Sequence, residues 1–116
     1  MVKRRPVVVV SPRLRNRGNL VTVVPLSTTR PGDVCEYHHR LVIDPPLPAP
    51  YNEAFHWVKA DMICTVAFQR LSVPIVGKDA AGKRIYDQRL VDASDLRLIR
   101  ACVLHGLGFG GLTQHL

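Results

Sequence analysis

A chain of 116 residues that is 47% hydrophobic and 22% charged can bury one modest core without disulfides, so a single domain over residues 1–116 is expected and a disulfide-dependent miniprotein is excluded. Sixteen Lys+Arg against nine Asp+Glu give a formal charge of +7, which makes a polyanion the natural long-range partner. Cys35, Cys64 and Cys102 are odd in number and widely spaced, which suits free thiols in a reducing, cytoplasmic setting. No run reaches the roughly 18 apolar residues that span a bilayer, so no membrane partner is expected.

The N-terminal stretch carries the most information. Residues 1–17 hold six basic side chains and no acid, either a solvated basic end or a nucleic-acid footprint. Val7 to Val10 is a β-branched run that fits a pleated surface better than a helix. Pro6 suits the mouth of that strand and biases Arg5 toward an extended conformation. Arg13-Leu14-Arg15-Asn16-Arg17-Gly18-Asn19 is a polar connection ending in a turn signal, and Leu20 to Pro25 is a second apolar run. Strands 7–11 and 20–25 are therefore expected to pair antiparallel. That pairing brings Arg5 near Ser27 and Thr28, where cations and hydroxyls could hold a phosphate, and sends Arg13, Arg15 and Arg17 to the far end of the hairpin.

Residues 30–37 form a second turn region, followed by a strand candidate at His38–Ile43. Four prolines in Asp44–Pro50 forbid a ladder and mark a surface connector. Phe55–Met62 and Thr65–Leu71 are read as strands, the second with Val66 and Phe68 on one face. Ile75–Gly77 and Lys83–Leu90 flank a turn at residues 78–82. One helix is predicted over 93–105, capped by Asp92 or Ser94, with Asp95 in its first turn and Leu96, Ile99, Cys102 and Val103 as its apolar stripe. Gly106 ends it, Arg97 and Arg100 fall on its polar face, and the tail 106–116 is expected to be loosely held. The fold class is mainly β with a C-terminal helix (α+β), either a small SH3-like barrel or a strongly bent antiparallel sheet.

The order RPVVVVSP, VTVVPLSTT, HWVKADM…TV…RL and DASDLRLIRACVLHGL, over roughly residues 4–107, resembles the PemK/MazF-like toxins of type II toxin–antitoxin systems. The resemblance implies a homodimeric, cofactor-free and metal-independent endoribonuclease that cuts single-stranded RNA, with a small acidic antitoxin protein as partner. Arg5 matches the family's arginine before the proline. Ser27 stands where many members have threonine, and Lys59 and Asp61 match an Arg-x-Asp pair of some members. Family chains usually carry a Gly-Asp/Glu-Ile-Tyr/Trp-type strand and a Gly-rich loop before the Arg-Pro. This chain opens almost on the Arg-Pro, so either its reading frame starts at an internal methionine or it is a shortened member whose sheet lacks that first strand and loop.

RNA cleavage without metal needs a base for the 2′-OH, a partner for the leaving oxygen and donors for the phosphoryl oxygens. Arg5 suits the donor role, because its fork of N–H groups fits phosphate and a guanidinium holds its proton too firmly to shuttle it. Ser27 and Thr28 can donate hydroxyls to phosphate or simply cap a turn. On a strand Lys59 and Asp61 would share a face, as a structural pair or with Asp61 as general base and Lys59 as partner for phosphate or leaving-group charge. Arg4, Arg13, Arg15, Arg17 and Thr28 are candidate RNA contacts, and Trp57 or Tyr51 can stack on bases, though Trp57 equally suits a core. Cys35-Glu36-Tyr37-His38-His39 is a poor metal site, since adjacent histidines on a strand point to opposite faces and no second ligand cluster exists. His38, His39 or His56 could serve acid–base chemistry or touch RNA, and the sequence does not choose among them. Two alternatives stand beside the enzyme: a non-catalytic toxin acting on a gyrase-type target, and a nucleic-acid-binding barrel without activity.

Overall fold

The computed structural model describes residues 4–12, 14–87 and 89–116. Seven strands precede one α-helix: β1 (Val7–Val9), β2 (Leu20–Ser27), β3 (His38–Val42), β4 (Phe55–Lys59), β5 (Cys64–Ala67), β6 (Ile75–Lys78), β7 (Arg84–Tyr86) and α1 (Ala93–Gly106). The mainly-β, C-terminal-helix architecture expected from the sequence is thus formed.

The long strand β2 is the hub. On one edge it pairs antiparallel with β1, Val8 opposite Val24. On the other its first half pairs with β5 and its last two residues with β4, which in turn pairs with β3. The β1/β2 hairpin has the predicted sense, and Asn16 and Gly18 in its loop take positive φ of 60° and 66°, a conformation that glycine adopts without strain.

On the edge shared by β5 and β4 the β2 ladder breaks at Val24-Pro25, while the β1 ladder runs on through them, and the facing chain leaves the strand conformation in a 3-10 turn at Ala60–Met62. The stretch Phe55–Met62 is therefore a strand only to Lys59. Likewise the strand expected over residues 65–71 runs from Cys64 to Ala67, after which Phe68 enters a second 3-10 turn, 63% exposed. Among the described residues the sheet bends but does not close. Of the two forms expected, the open bent sheet is the one adopted, and the SH3-like barrel is not. β6 and β7 form a separate exposed ribbon whose turn is held by Asp79 Oδ1, which accepts from the Ala81 and Lys83 N–H groups at 2.9 Å.

Alternation sends Val8, Val24, Leu26, Leu41 and Val58 to one face, where they pack with Ala60, Ile99 and Cys102 of the helix side. Ile99 and Val58 are wholly buried, each contributing about 1.5–3 kcal/mol by removal from water. Asp92 caps α1 by accepting the Asp95 N–H at 2.7 Å. Two further contacts tie α1 to the β3 segment: His39 with Asp95 at 3.3 Å and His105 with Glu36 at 2.9 Å. The face away from the helix carries the exposed Arg5 and Arg40 and the half-buried Ser27 beside the buried Val23 and Trp57.

Candidate functional site

The face away from the helix is where the predicted residues gather. The Leu26 N–H donates to the Pro6 carbonyl at 3.0 Å, which continues the β1/β2 register one pair beyond Val7 and Pro25 and brings Arg5 level with Ser27. Ser27 pairs across to Trp57, and Trp57 to Arg40. Arg5, Ser27, Trp57 and Arg40 thus form one row across β1, β2, β4 and β3. Their core-facing neighbours in sequence are Leu26, Val58 and Leu41, so by alternation all four point away from the helix.

The chemistry of the row follows from its partners. Ser27 Oγ accepts the Thr29 N–H at 3.1 Å, which caps the turn and leaves its hydroxyl proton to donate. Arg5 and Arg40 are exposed, and neither forms an ion pair among the described residues. The Arg40 guanidinium lies 4.0 Å from the centroid of the Phe55 ring, a cation–π contact that holds its plane. Trp57 is 9% exposed, and its indole N–H is buried without a partner among the described residues.

Lys59 stands two residues along β4 from Trp57, about 7 Å at strand rise, and opposite His38 of β3. His38 Nδ1 accepts the Cys35 N–H at 3.0 Å, so a neutral His38 carries its proton on Nε2 and can only donate from there. Asp61 is not in the row. It lies in the 3-10 turn, exposed, with the backbone of Gly106 packed against it. Tyr37 is its polar neighbour: the phenol is pushed above its usual value first by its hydrogen bond with Cys35, with Asp61 adding a smaller electrostatic push. Lys59 and Asp61 therefore do not share a strand face, because the strand ends between them.

The predicted RNA contacts divide. Arg4, Arg15 and Thr28 are exposed, and Arg13 lies outside the described residues. Arg17 is half-buried and donates to the hydroxyls of Thr22 and Thr65, pinning the hairpin loop to β2 and β5. Tyr51 is occupied through its carbonyl, 3.3 Å from Nε2 of the buried His56. Among the described residues, no group of three or more His, Cys, Asp and Glu side chains could hold a metal ion. Three residues of this face were not singled out by the sequence reading: Arg30, Arg40 and Phe55. The signal for Arg40 was present in the period-two pattern of His38-His39-Arg40-Leu41-Val42, which places it on the face opposite Leu41.

Residues 1–98 match the family of PemK-like, MazF-like toxins of type II toxin–antitoxin systems. The chain belongs to the PemK/MazF-like toxin family. The match spans all seven strands and the start of α1. Comparisons with curated proteins and with solved structures return no match. Membership makes the chain the toxin side of a toxin–antitoxin module. No helix among the described residues is long and apolar enough to cross a membrane.

Proposed function

We propose that this PemK/MazF-like toxin is a metal-independent endoribonuclease that cleaves single-stranded RNA by attack of the 2′-OH on the adjacent phosphate. The observation that carries the reading is the pairing of Arg5 with Ser27 at one strand mouth on the face away from the helix. A phosphate seated there receives the Arg5 fork and the Ser27 hydroxyl proton, donors that stabilise charge developing on the phosphoryl oxygens. Lys59 supplies positive charge for the leaving 5′-oxygen, and Asp61 is the proposed general base. Arg4, Arg13, Arg15 and Arg17 raise the local concentration of RNA, with Thr28 and Trp57 as contacts near the phosphate. The toxin acts in the cytoplasm as a homodimer of single-domain chains and is restrained by a small acidic antitoxin.

A second reading is favoured by the position of Asp61 off the row, under Gly106: a non-catalytic toxin that binds nucleic acid or a gyrase-type target. Asp61→Ala separates the two. Loss of RNA cleavage together with loss of growth inhibition supports the nuclease, whereas growth inhibition that survives the substitution supports the binding toxin.

A further inference from the structure

Among the described residues β6 and β7 pair only with each other, and every residue of both strands is exposed. The radius of gyration, 15.2 Å, exceeds the roughly 13 Å of a compact chain of this length, in keeping with a ribbon that stands off the body. Its register sets Lys78 opposite Arg84 and Ile75 opposite Tyr86, and a bulge between Ile75 and Gly77 absorbs the extra residue. Directly opposite residues share a face, and so do Arg84 and Tyr86, two apart on one strand. One face therefore carries two cations, an aromatic ring and Ile75. Like charges set directly opposite destabilise a strand pair, and the acids of this segment are committed elsewhere. Asp79 Oδ1 accepts the Ala81 and Lys83 N–H groups, and Asp87 pairs with Arg89 at 2.7 Å. Lys83 adds a third cation beside Arg84, and among the described residues none of the three forms an ion pair.

An anion set between two opposed cations relieves their repulsion, and the ring on the next rung narrows the choice of anion. A bare phosphate or a carboxylate makes no use of Tyr86, 45% exposed, whereas a nucleotide chain offers a phosphate to the cations and an unpaired base to the ring. We propose that the β6–β7 ribbon is a second RNA contact, apart from the row of Arg5, Ser27, Trp57 and Arg40. In it a phosphate of single-stranded RNA sits between Lys78 and Arg84, and a neighbouring base stacks on Tyr86, about 7 Å along the strand. The inference rests on the RNA-cleaving reading and extends it to a contact that holds the substrate without touching the reacting atoms. The root of the ribbon supports the assignment. Arg89 donates to the carbonyls of Pro45 and Pro46, on the connector that leaves β3 after Val42, so the ribbon is anchored to the strand on which the row ends.

The test uses the full chain and a labelled, fully 2′-O-methylated RNA of mixed sequence, which cannot be cut by 2′-OH attack. Fluorescence polarisation at one fixed salt concentration gives the affinity. Lys78→Ala combined with Arg84→Ala should weaken binding roughly tenfold or more, and Tyr86→Leu roughly fivefold or more. Removing opposed like charges does not weaken the ribbon, so the double variant folds. Exchanging the two cations, Lys78→Arg with Arg84→Lys, should bind as the wild type does. Arg97→Ala with Arg100→Ala, an equal loss of charge on the exposed side of α1, should weaken binding roughly threefold at most. Equal losses for the ribbon pair and the helix pair would reduce the effect to general charge and overturn the contact, as would undiminished binding by the ribbon pair or by Tyr86→Leu. An oligo-glutamate peptide of equal net charge that binds as tightly as the RNA, and with the same dependence on Lys78 and Arg84, would assign the ribbon to an acidic protein partner and overturn it too. Unmodified RNA run in parallel keeps the two claims apart. Cutting in which the ribbon pair raises KM roughly tenfold at unchanged kcat upholds both. Ribbon-dependent binding without cutting upholds the ribbon and sinks the nuclease, whereas cutting with KM unchanged in the ribbon pair does the reverse.

Discussion

Arg5 is exposed and bonded to nothing among the described residues, so its removal should cost the fold little while removing a phosphate donor. Arg5→Ala is expected to lower RNA cleavage at least about 100-fold with an unchanged thermal unfolding curve, and Ser27→Ala to lower it less because backbone and arginine donors remain. Both are checked by a fragment assay beside circular dichroism. The three thiols offer a second residue-level test. Cys64 is exposed, Cys35 half-buried, and Cys102 buried on the core-facing side of α1, where desolvation pushes its thiol up. Labelling with a thiol reagent should modify Cys64 first and Cys102 only on unfolding. Early Cys102 labelling would mean that the helix is not docked as described. At this scale the mouth residues were legible, because a proline before a valine run and a turn signal after it fix which ends meet. For Arg40 only the face was legible, since its place beside Trp57 depends on the pairing of β3 with β4 across a twelve-residue connection, and period alone says nothing about partners.

The elements depend on a few contacts that sequence patterns name only in part. The Asp92 cap was anticipated, and the structure adds its electrostatics: the Asp95 N–H and then the Ser94 hydroxyl hold the Asp92 carboxyl below its usual 3.8. A carboxylate whose folded pKa is depressed stabilises the fold above its unfolded value and loses that contribution as pH falls through the folded one. Asp92→Ala should therefore lower the melting temperature at pH 7, with the deficit shrinking below about pH 4, as measured by melting curves across pH. A deficit independent of pH would contradict this. The sequence pattern marks Gly106 only as a helix terminator. In the structure a Cβ there would lie 3.3 Å from the Asp61 Cα and amide nitrogen, so the helix end and the 3-10 turn touch backbone to backbone. Gly106→Val is expected to destabilise by about 1–3 kcal/mol, read from urea unfolding. The turn itself, and so the separation of Asp61 from Lys59, escaped the sequence because HWVKADM alternates well enough to pass for one strand.

For the whole molecule, the succession of five or more short strands and then one α-helix, and the hairpin sense, followed from β-branched runs, prolines and one capped amphipathic stretch; the structure has seven strands among the described residues. Whether the sheet closes did not follow from them. Closure depends on which edges find partners, and here the ladder on the β5/β4 edge of β2 is interrupted at Val24-Pro25, opposite the turn at Ala60–Met62. One face is left to the helix and the other to the row of Arg5, Ser27, Trp57 and Arg40. The proposed RNA chemistry lies on that second face. Incubation of the purified toxin, free of antitoxin, with a long single-stranded RNA in excess EDTA measures this most directly. Discrete fragments that disappear with Arg5→Ala are the predicted result, and intact RNA with the folded wild-type protein would contradict it.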